Sequence, residues 1–499
     1  MIGNFKQVKK ELDSIGCGFC LAKWTQVTIH LSSGITHSCH HVGAHKIPLD
    51  ELENNPNALH NTKEKKKRRK EMLDGKRPSE CDYCWRIEDN TSEYSDRVLK
   101  SSRSWSQIDK SKIIENNWDE DIYPRYVEIS FSNVCNFKCA YCGPPFSSKW
   151  TEEIKQAGPY KLKQKHYNGI KNTEIPYANR EQNPYIDAFW KWFPEAVKHM
   201  KVFRITGGEP LLSKHTLQVI QYLIDNPHPD LEFAINTNAC PPYTLWETFV
   251  DKIVELEQND SVKNFTLYTS AESYGSQAEY VRDGMDFKLF EINLKYYIEK
   301  TTKSRLTIMS AFNILSLPTL KPFVRWSDSL KRLSKGRTFI DFAYVRHPEF
   351  LDVKIADKEL VDQYIKPALD YMIEKSSIHD RYTDYEIFKL ERIYKDCVSK
   401  LDNGVDFKLE KYHRYIDLEN HYKVIKTISE GVEFQKEFSR KKIEKLLSKI
   451  LSINVTTLNK NFKNKNHKYY LDPKRFFLRI VRPNKNDFNP PHRDAYFDN

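Results

Sequence analysis

The chain has no stretch of about 18 consecutive apolar residues, the length a membrane-crossing helix needs. Residues 1–16, MIGNFKQVKKELDSIG, hold no apolar signal core. These absences speak against a helical membrane protein and a secretory leader, and a soluble cytoplasmic protein is expected. Charge of one sign is only modestly in excess. The 79 Lys and Arg against 68 Asp and Glu leave +11, which permits an anionic partner without requiring one. Cysteine is not scarce. Ten occur, mostly in C-x2-C and C-x3-C-x2-C groups, and such spacing reads as metal ligation in a reducing compartment more naturally than as disulfide pairing. With 499 residues, 39% hydrophobic and 13% aromatic, the chain can build two or three domains with real cores.

The stretch 127–143, VEISFSNVCNFKCAYCG, organises the rest. Val127, Ile129 and Phe131 alternate with Glu128, Ser130 and Ser132, the period of a strand, and a turn then delivers Cys135, Cys139 and Cys142. Three soft thiolates can converge on one iron-sulfur cluster. A structural zinc site wants four protein ligands, and no fourth Cys or His follows promptly. From residue 126 onward, short apolar runs alternate with amphipathic helix-length stretches. Strands are expected at 126–131, 201–206, 231–237, 264–270, 305–313 and 338–345, with helices at 214–225, 245–258, 286–300 and 320–334. Six strand-helix units predict an α/β fold with a parallel sheet curled into a partial barrel, whose ligands sit at the carboxyl ends of the strands. Polar groups fall at those ends: Gly207, Gly208, Glu209 and Pro210 after the second strand, Asn238 after the third, Ser270 ending the fourth with Arg282 downstream, and Asn313 ending the fifth.

In this spacing and order the chain resembles the radical S-adenosylmethionine (SAM) superfamily, with its (β/α)6 TIM-like barrel. The resemblance implies a 4Fe-4S cluster on Cys135, Cys139 and Cys142, whose open iron chelates SAM. It also implies reduction by a carrier such as flavodoxin or ferredoxin, and hydrogen abstraction by a 5'-deoxyadenosyl radical. It places Tyr141 near the adenine, Gly207, Gly208 and Glu209 at the SAM amino group, Asn238 at the ribose, Ser270 and Arg282 at the carboxylate, and Asn313 on the adenine side. The substrate is expected to be a peptide, sugar or other small molecule, since the fold does not name it. Two alternatives stand beside this. One is a radical SAM enzyme acting on RNA or nucleotides, and the other is a non-catalytic protein binding zinc and nucleic acid. The basic run KEKKKRRK at 63–70 invites the nucleic-acid readings, but it begins an apparent helix and is expected to be a solvated face.

Residues 1–120 carry Cys17, Cys20, Cys39, Cys81 and Cys84, with two strand-like runs around Ser33-Gly34 reading as a hairpin. The features FC-x3-W, Gly34 before Cys39, and MLDGKRP-x2-C-x2-C resemble the auxiliary-cluster modules called SPASM or Twitch. Carried over, that resemblance makes Cys20, Cys39, Cys81 and Cys84 the ligands of a second 4Fe-4S cluster. The choice between Cys17 and Cys20 stays open, as does a zinc ribbon of Cys17, Cys20, Cys81 and Cys84. His40 and His41 are further candidate ligands, expected to face solvent. The domain division is then 1–120 for this module, 121–346 for the barrel, 347–440 for a helical flanking extension and 441–499 for a C-terminal extension. Cys240 is expected to be a buried structural cysteine. The aromatic helix near 185–193 reads as core, and the polar connection before it could cover the barrel mouth. Long charged helices are expected at 358–374, 385–401 and 433–451. The end, RFFLRIVRPNKNDFNPPHRDAYFDN, places His492-Arg493-Asp494 after a strand-like run. It resembles the opening of a 2-oxoglutarate, iron(II)-dependent oxygenase, whose H-x-D supplies two of three metal ligands. The second histidine does not follow, so an active oxygenase within these residues is not expected.

Overall fold

The computed structural model describes residues 4–402 except 116, 158–176, 178–180, 349–350, 357 and 380. The helix at 433–451, the extension 441–499 and the His492-Arg493-Asp494 motif lie outside the described residues, as does most of the polar connection before residue 184.

Alternation of apolar and polar residues produces one nine-stranded, mostly parallel sheet. Its strands are β1 (Gln26–His30), β2 (Ile35–His37), β3 (His45–Lys46), β4 (Tyr126–Ser130), β6 (Val202–Thr206), β7 (His228–Thr237), β8 (Val262–Ser270), β10 (Arg305–Phe312) and β11 (Thr338–Tyr344). A separate two-stranded ladder joins β5 (Lys138–Cys139) to β9 (Arg282–Asp283). The order across the large sheet is β11-β10-β8-β7-β6-β4-β1-β2-β3. All six expected strands are present within two or three residues at each end. This α/β arrangement is compatible with a TIM-like fold.

Beyond the six, β1, β2 and β3 extend the sheet at one edge. β1 pairs in parallel with β4 in the register Gln26↔Tyr126 to His30↔Ser130, then turns through Gly34 into antiparallel β2. Val27 and Ile29 thereby continue the fully buried row of Val127, Ile129, Phe203, Ile205, Phe233 and Ile235. Without β1 the apolar row and unpaired backbone of β4 would form an exposed edge. Gly34 has φ +62, and an added Cβ would fall 2.1 Å from the Tyr185 ring. Tyr185 opens the helix Pro184–Ala196 and donates its hydroxyl to the Ile47 carbonyl at 3.1 Å. With Tyr185, Phe189, Trp192 and Phe193 buried, that helix is core and fastens the hairpin to the sheet.

The opposite face of the same strands is polar. His30, Glu128, Arg204, Thr206, Asn236, Tyr268 and Ser270 share it, because the parallel registers keep their alternation in phase. A second, smaller core gathers Val8, Leu12, Phe19, Trp24, Met72, Cys81, Cys84 and Trp85 beside the sheet. The basic run forms the helix Lys63–Leu73, capped by Thr62. It is not simply a solvated face. Lys65 and Arg69 are buried, with Lys65 Nζ donating to Thr36 Oγ1 at 2.8 Å and Arg69 Nη1 to Asn61 Oδ1 at 2.8 Å. Lys66, Arg68 and Lys70 pair with Asp121, Glu71 and Asp74. No helix of the described residues is long and apolar enough to cross a membrane.

Candidate functional site

β4 ends at Ser130, and the chain then forms a loop held by its neighbours on three sides. From the β6 end, Gly208 N donates to the Ser132 carbonyl at 3.0 Å and Glu209 N to the Val134 carbonyl at 2.8 Å. An added Cβ on Gly208 would meet Val134 O at 2.4 Å, and Gly207 holds φ +133. The two glycines are therefore required for backbone to lie against backbone. From the β7 end, Asn238 Nδ2 donates to Asn136 Oδ1 at 2.7 Å, and Asn136 Nδ2 donates to the Cys240 carbonyl at 2.8 Å. From the segment after β8, the β5–β9 ladder sets Cys139 opposite Arg282 and Lys138 opposite Asp283. Lys138 Nζ lies 2.6 Å from Glu153 and 3.1 Å from Asp283, closing that side with charge.

The loop carries Cys135 and Cys139 buried and Cys142 half-buried. Burial pushes the Cys135 thiol up to about 12, with Cys139 adding to the effect. It pushes Cys139 up to about 11 against the pull of Arg282, and it raises Cys142, where Cys139 and Cys135 add repulsion. The three sulfurs thus feel one another in a low-dielectric pocket. Such a set is poorly suited to hold bare thiolates and well suited to a cationic iron centre, which inverts that balance.

The other sequence-derived residues take distinct places. Glu209 is buried, accepting from Thr237 Oγ1 at 2.7 Å, Leu211 N at 3.0 Å and Asn238 N at 2.6 Å. Burial nevertheless lifts its carboxyl to about 7. Asn238 uses its second side-chain atom to accept from Cys240 N at 2.9 Å. Asn313 is fully buried and caps the turn Ile314–Thr319, with Oδ1 accepting from Leu315 N and Nδ2 donating to the Ala311 carbonyl. Ser270 stands half-buried on the polar face at the end of β8. Arg282 is not on a helix as its sequence context suggests. The helix Ser276–Val281 ends before it, and its guanidinium is buried against Glu272 Oε2, at 3.0 Å from Nε and 2.9 Å from Nη2. Tyr141 hydroxyl also contacts Arg282 Nη2. Glu272, Asn136 and Lys138 escaped the sequence reading; Glu272 sat in the Ser-Ala-Glu that ends the fourth strand, visible as residues but without a spacing to give it a role.

In the N-terminal region, Cys20, Cys39, Cys81 and Cys84 come together, and Cys17 does not join them. Burial raises Cys84, with repulsion from Cys20, Cys39 and Cys81 following, and burial takes Cys81 to about 12. Cys17 is exposed and its Sγ donates to the Gly75 carbonyl at 3.1 Å. Among the described residues, buried Lys23 and Arg97 and half-buried Lys100 stand around the four sulfurs. Lys23 is paired with Glu80 and stands near Cys81 and Cys20. Lys100 stands near Cys39 and Cys20. Arg97 is bound to Glu88 at 2.8 Å. Positive side chains in a dry site suit a metal centre that four thiolates have made net negative. His40 and His41 do not face solvent: both turn to Asp96 Oδ2, at 3.3 and 2.8 Å, and Cys39, His40 and Asp96 offer ligand atoms within 4.8 Å of one another. Lys100 Nζ lies 2.9 Å from His40 Nδ1, a cation that disfavours a separate metal ion at that trio.

No family model matches the chain. Over 115 residues it is 27% identical to a GTP 3',8-cyclase of Nautilia profundicola, a match that covers 23% of this chain and 27% of that protein. The matched segment is thus about a quarter of that protein's length. This distant likeness to a radical SAM enzyme supports the superfamily in general terms and leaves the substrate open.

Proposed function

We propose that the chain is a radical SAM enzyme with a second iron-sulfur centre beside its sheet. The observation that carries this reading is the loop of Cys135, Cys139 and Cys142 at the end of a parallel strand, hydrogen-bonded along its backbone to Gly208 and Glu209. A 4Fe-4S cluster bound there would supply the electron for reductive cleavage of SAM, chemistry that would lead to hydrogen abstraction from the substrate. Cys135, Cys139 and Cys142 would hold that cluster through their sulfurs. Gly207, Gly208, Ser270 and Tyr141 border the SAM site directly, whereas Glu209, Asn238 and Asn313 act as positioning residues, because their side chains are committed to neighbouring backbone. Cys20, Cys39, Cys81 and Cys84 hold the second 4Fe-4S cluster, with Lys23, Lys100 and Arg97 offsetting its charge. A low-potential carrier such as flavodoxin or ferredoxin is the electron donor.

The polar face of the sheet, from His30 to Tyr268, offers hydrogen-bonding groups to a small molecule, sugar or peptide. The GTP 3',8-cyclase likeness puts nucleotides among the first compounds to try. Anaerobic reconstitution followed by iron and sulfide analysis should give about eight irons per chain, and strong reductant with SAM should yield 5'-deoxyadenosine. Deuterium carried from a candidate compound into that product identifies the substrate. A protein that takes up zinc alone and leaves SAM intact under reduction overturns the proposal.

A further inference from the structure

We propose that Arg282 sets the reduction potential of the cluster held by Cys135, Cys139 and Cys142, through a hydrogen bond to the Cys139 sulfur, and that Glu272 limits how much of its charge the cluster feels. The inference rests on the radical SAM reading. Its geometry comes from the short β5–β9 ladder, which sets Arg282 directly opposite Cys139. Arg282 Nη1 lies 3.6 Å from Cys139 Sγ. Cys135 Sγ receives a backbone N–H instead, from Phe137 at 3.4 Å. The guanidinium cannot swing away easily. Nε and Nη2 are both fixed on Glu272 Oε2, the Tyr141 hydroxyl contacts Nη2, and the Tyr141 ring lies 5.6 Å from the guanidinium carbon.

Arg282 and Glu272 are 4% and 0% exposed. A pair this dry gains little net stability, because desolvation consumes most of the attraction between the charges. Its position against a cluster ligand gives it another use. One electron from an external low-potential donor adds one negative charge to the cluster, and a fixed cation with an N–H aimed at sulfur stabilises that reduced form. Glu272 opposes the effect. Its Oε1 is buried without a hydrogen-bond partner, so its charge is incompletely spent on Arg282.

The two substitutions therefore have opposite signs. Redox titration of the reconstituted protein with dithionite, following the EPR signal that shifts when SAM is added, reads both. Arg282→Gln should lower the reduced-to-oxidised ratio at fixed potential by on the order of tenfold, 59 mV for a one-electron couple. Glu272→Gln should raise it, and Arg282→Lys should recover most of the loss by keeping the charge. If Arg282→Gln fails to take up iron, the rise in Glu272→Gln decides. Shifts of the same sign in both, unmoved potentials in both, or loss of iron from both overturn the inference in favour of a plain structural clamp. A normal SAM-responsive cluster with unmoved potentials sinks this inference alone. Absence of any such cluster from the unaltered protein sinks the radical SAM reading with it.

Discussion

The two sulfur groups of this protein differ in number, in where they lie along the chain and in the charges around them. Cys20, Cys39, Cys81 and Cys84 supply four thiols from separate elements, within a shell that includes Lys23, Lys100 and Arg97. Cys135, Cys139 and Cys142 supply three from a single loop, beside one cation already shared with a buried carboxylate. On the proposed reading four thiolates would complete a cluster and leave no iron for a further ligand, so such a centre would need charge compensation. Three would leave one iron free, and the polar groups around that loop are spent on holding its backbone rather than on neutralising charge.

The largest effect should come from breaking the three-cysteine loop. Alanine at Cys135, Cys139 or Cys142 should remove about four of roughly eight irons and bring reductive SAM cleavage to background, measured as 5'-deoxyadenosine. Cys39→Ala should instead cost the second centre its iron while the SAM-responsive EPR signal survives. If either substitution empties both centres equally, the two groups are not the independent sites described above.

Gly208→Ala tests whether the loop is held by backbone contact. Its Cβ would stand 2.4 Å from Val134 O and 2.6 Å from the Asn133 backbone, and overpacking of this kind costs about 1–3 kcal/mol. A Tm drop of several degrees with reduced iron uptake at the SAM-responsive centre, and unchanged iron at the other, is expected. Equal loss at both would blur the comparison.

A smaller effect belongs to pH. Burial holds the Glu209 carboxyl at about 7, above its value in an unfolded chain. The folded state then binds more protons than the unfolded one between about 4.5 and 7, and its stability should fall as pH rises through that window. The ceiling is about 3 kcal/mol, at 1.36 per unit. Histidines that burial holds below their ordinary value, such as His37, His45 and His60, push stability the other way over the same range. The Glu209 slope should therefore be read as the difference between denaturant melts of the cluster-free protein and of its Glu209→Gln variant. The lysines beside the N-terminal cysteines titrate above this window and contribute no matching fall, and equal slopes in the two proteins would remove Glu209 as the source.

Much of the frame was legible because it is local. The period-2 runs around Val127, Phe203, Phe233 and Leu267 need no distant partner to be read as strands, and the helix Lys214–Asp225 appeared with its expected limits. β1 was read only as half of a hairpin. Its parallel pairing with β4 joins Gln26 to Tyr126, and nothing within Gln26–His30 announces a partner so far along the chain. Arg282 shows the opposite limit. The run AEYVRDG has helical composition, but the helix stops at Val281 and Arg282-Asp283 pairs with Lys138-Cys139, with Gly284 at φ +105 lying close enough for a Cβ to meet Asn136 O at 2.6 Å. The buried lysines were invisible because a basic residue reads as solvent-facing until its partner is found, a carboxylate for Lys23 and a hydroxyl for Lys65.

Cys17 offers the finest test of the contrast between the two groups. By spacing alone it forms a C-x2-C pair with Cys20 and completes a four-cysteine ribbon with Cys81 and Cys84, so a zinc reading uses it and leaves Cys39 spare. In the fold Cys17 lies exposed on the far side of a short turn, donating to the Gly75 carbonyl, and Cys39 takes the place beside Cys20. Cys17→Ser keeps a donor for that carbonyl, and a change at so exposed a position should alter stability by no more than about 0.5 kcal/mol. Iron content, EPR spectra and SAM cleavage should all match the unaltered protein, while Cys39→Ser in parallel loses iron. The reverse pattern, iron lost with Cys17 and kept without Cys39, would mean that the second centre is a ribbon after all and that its cation shell serves a different ion.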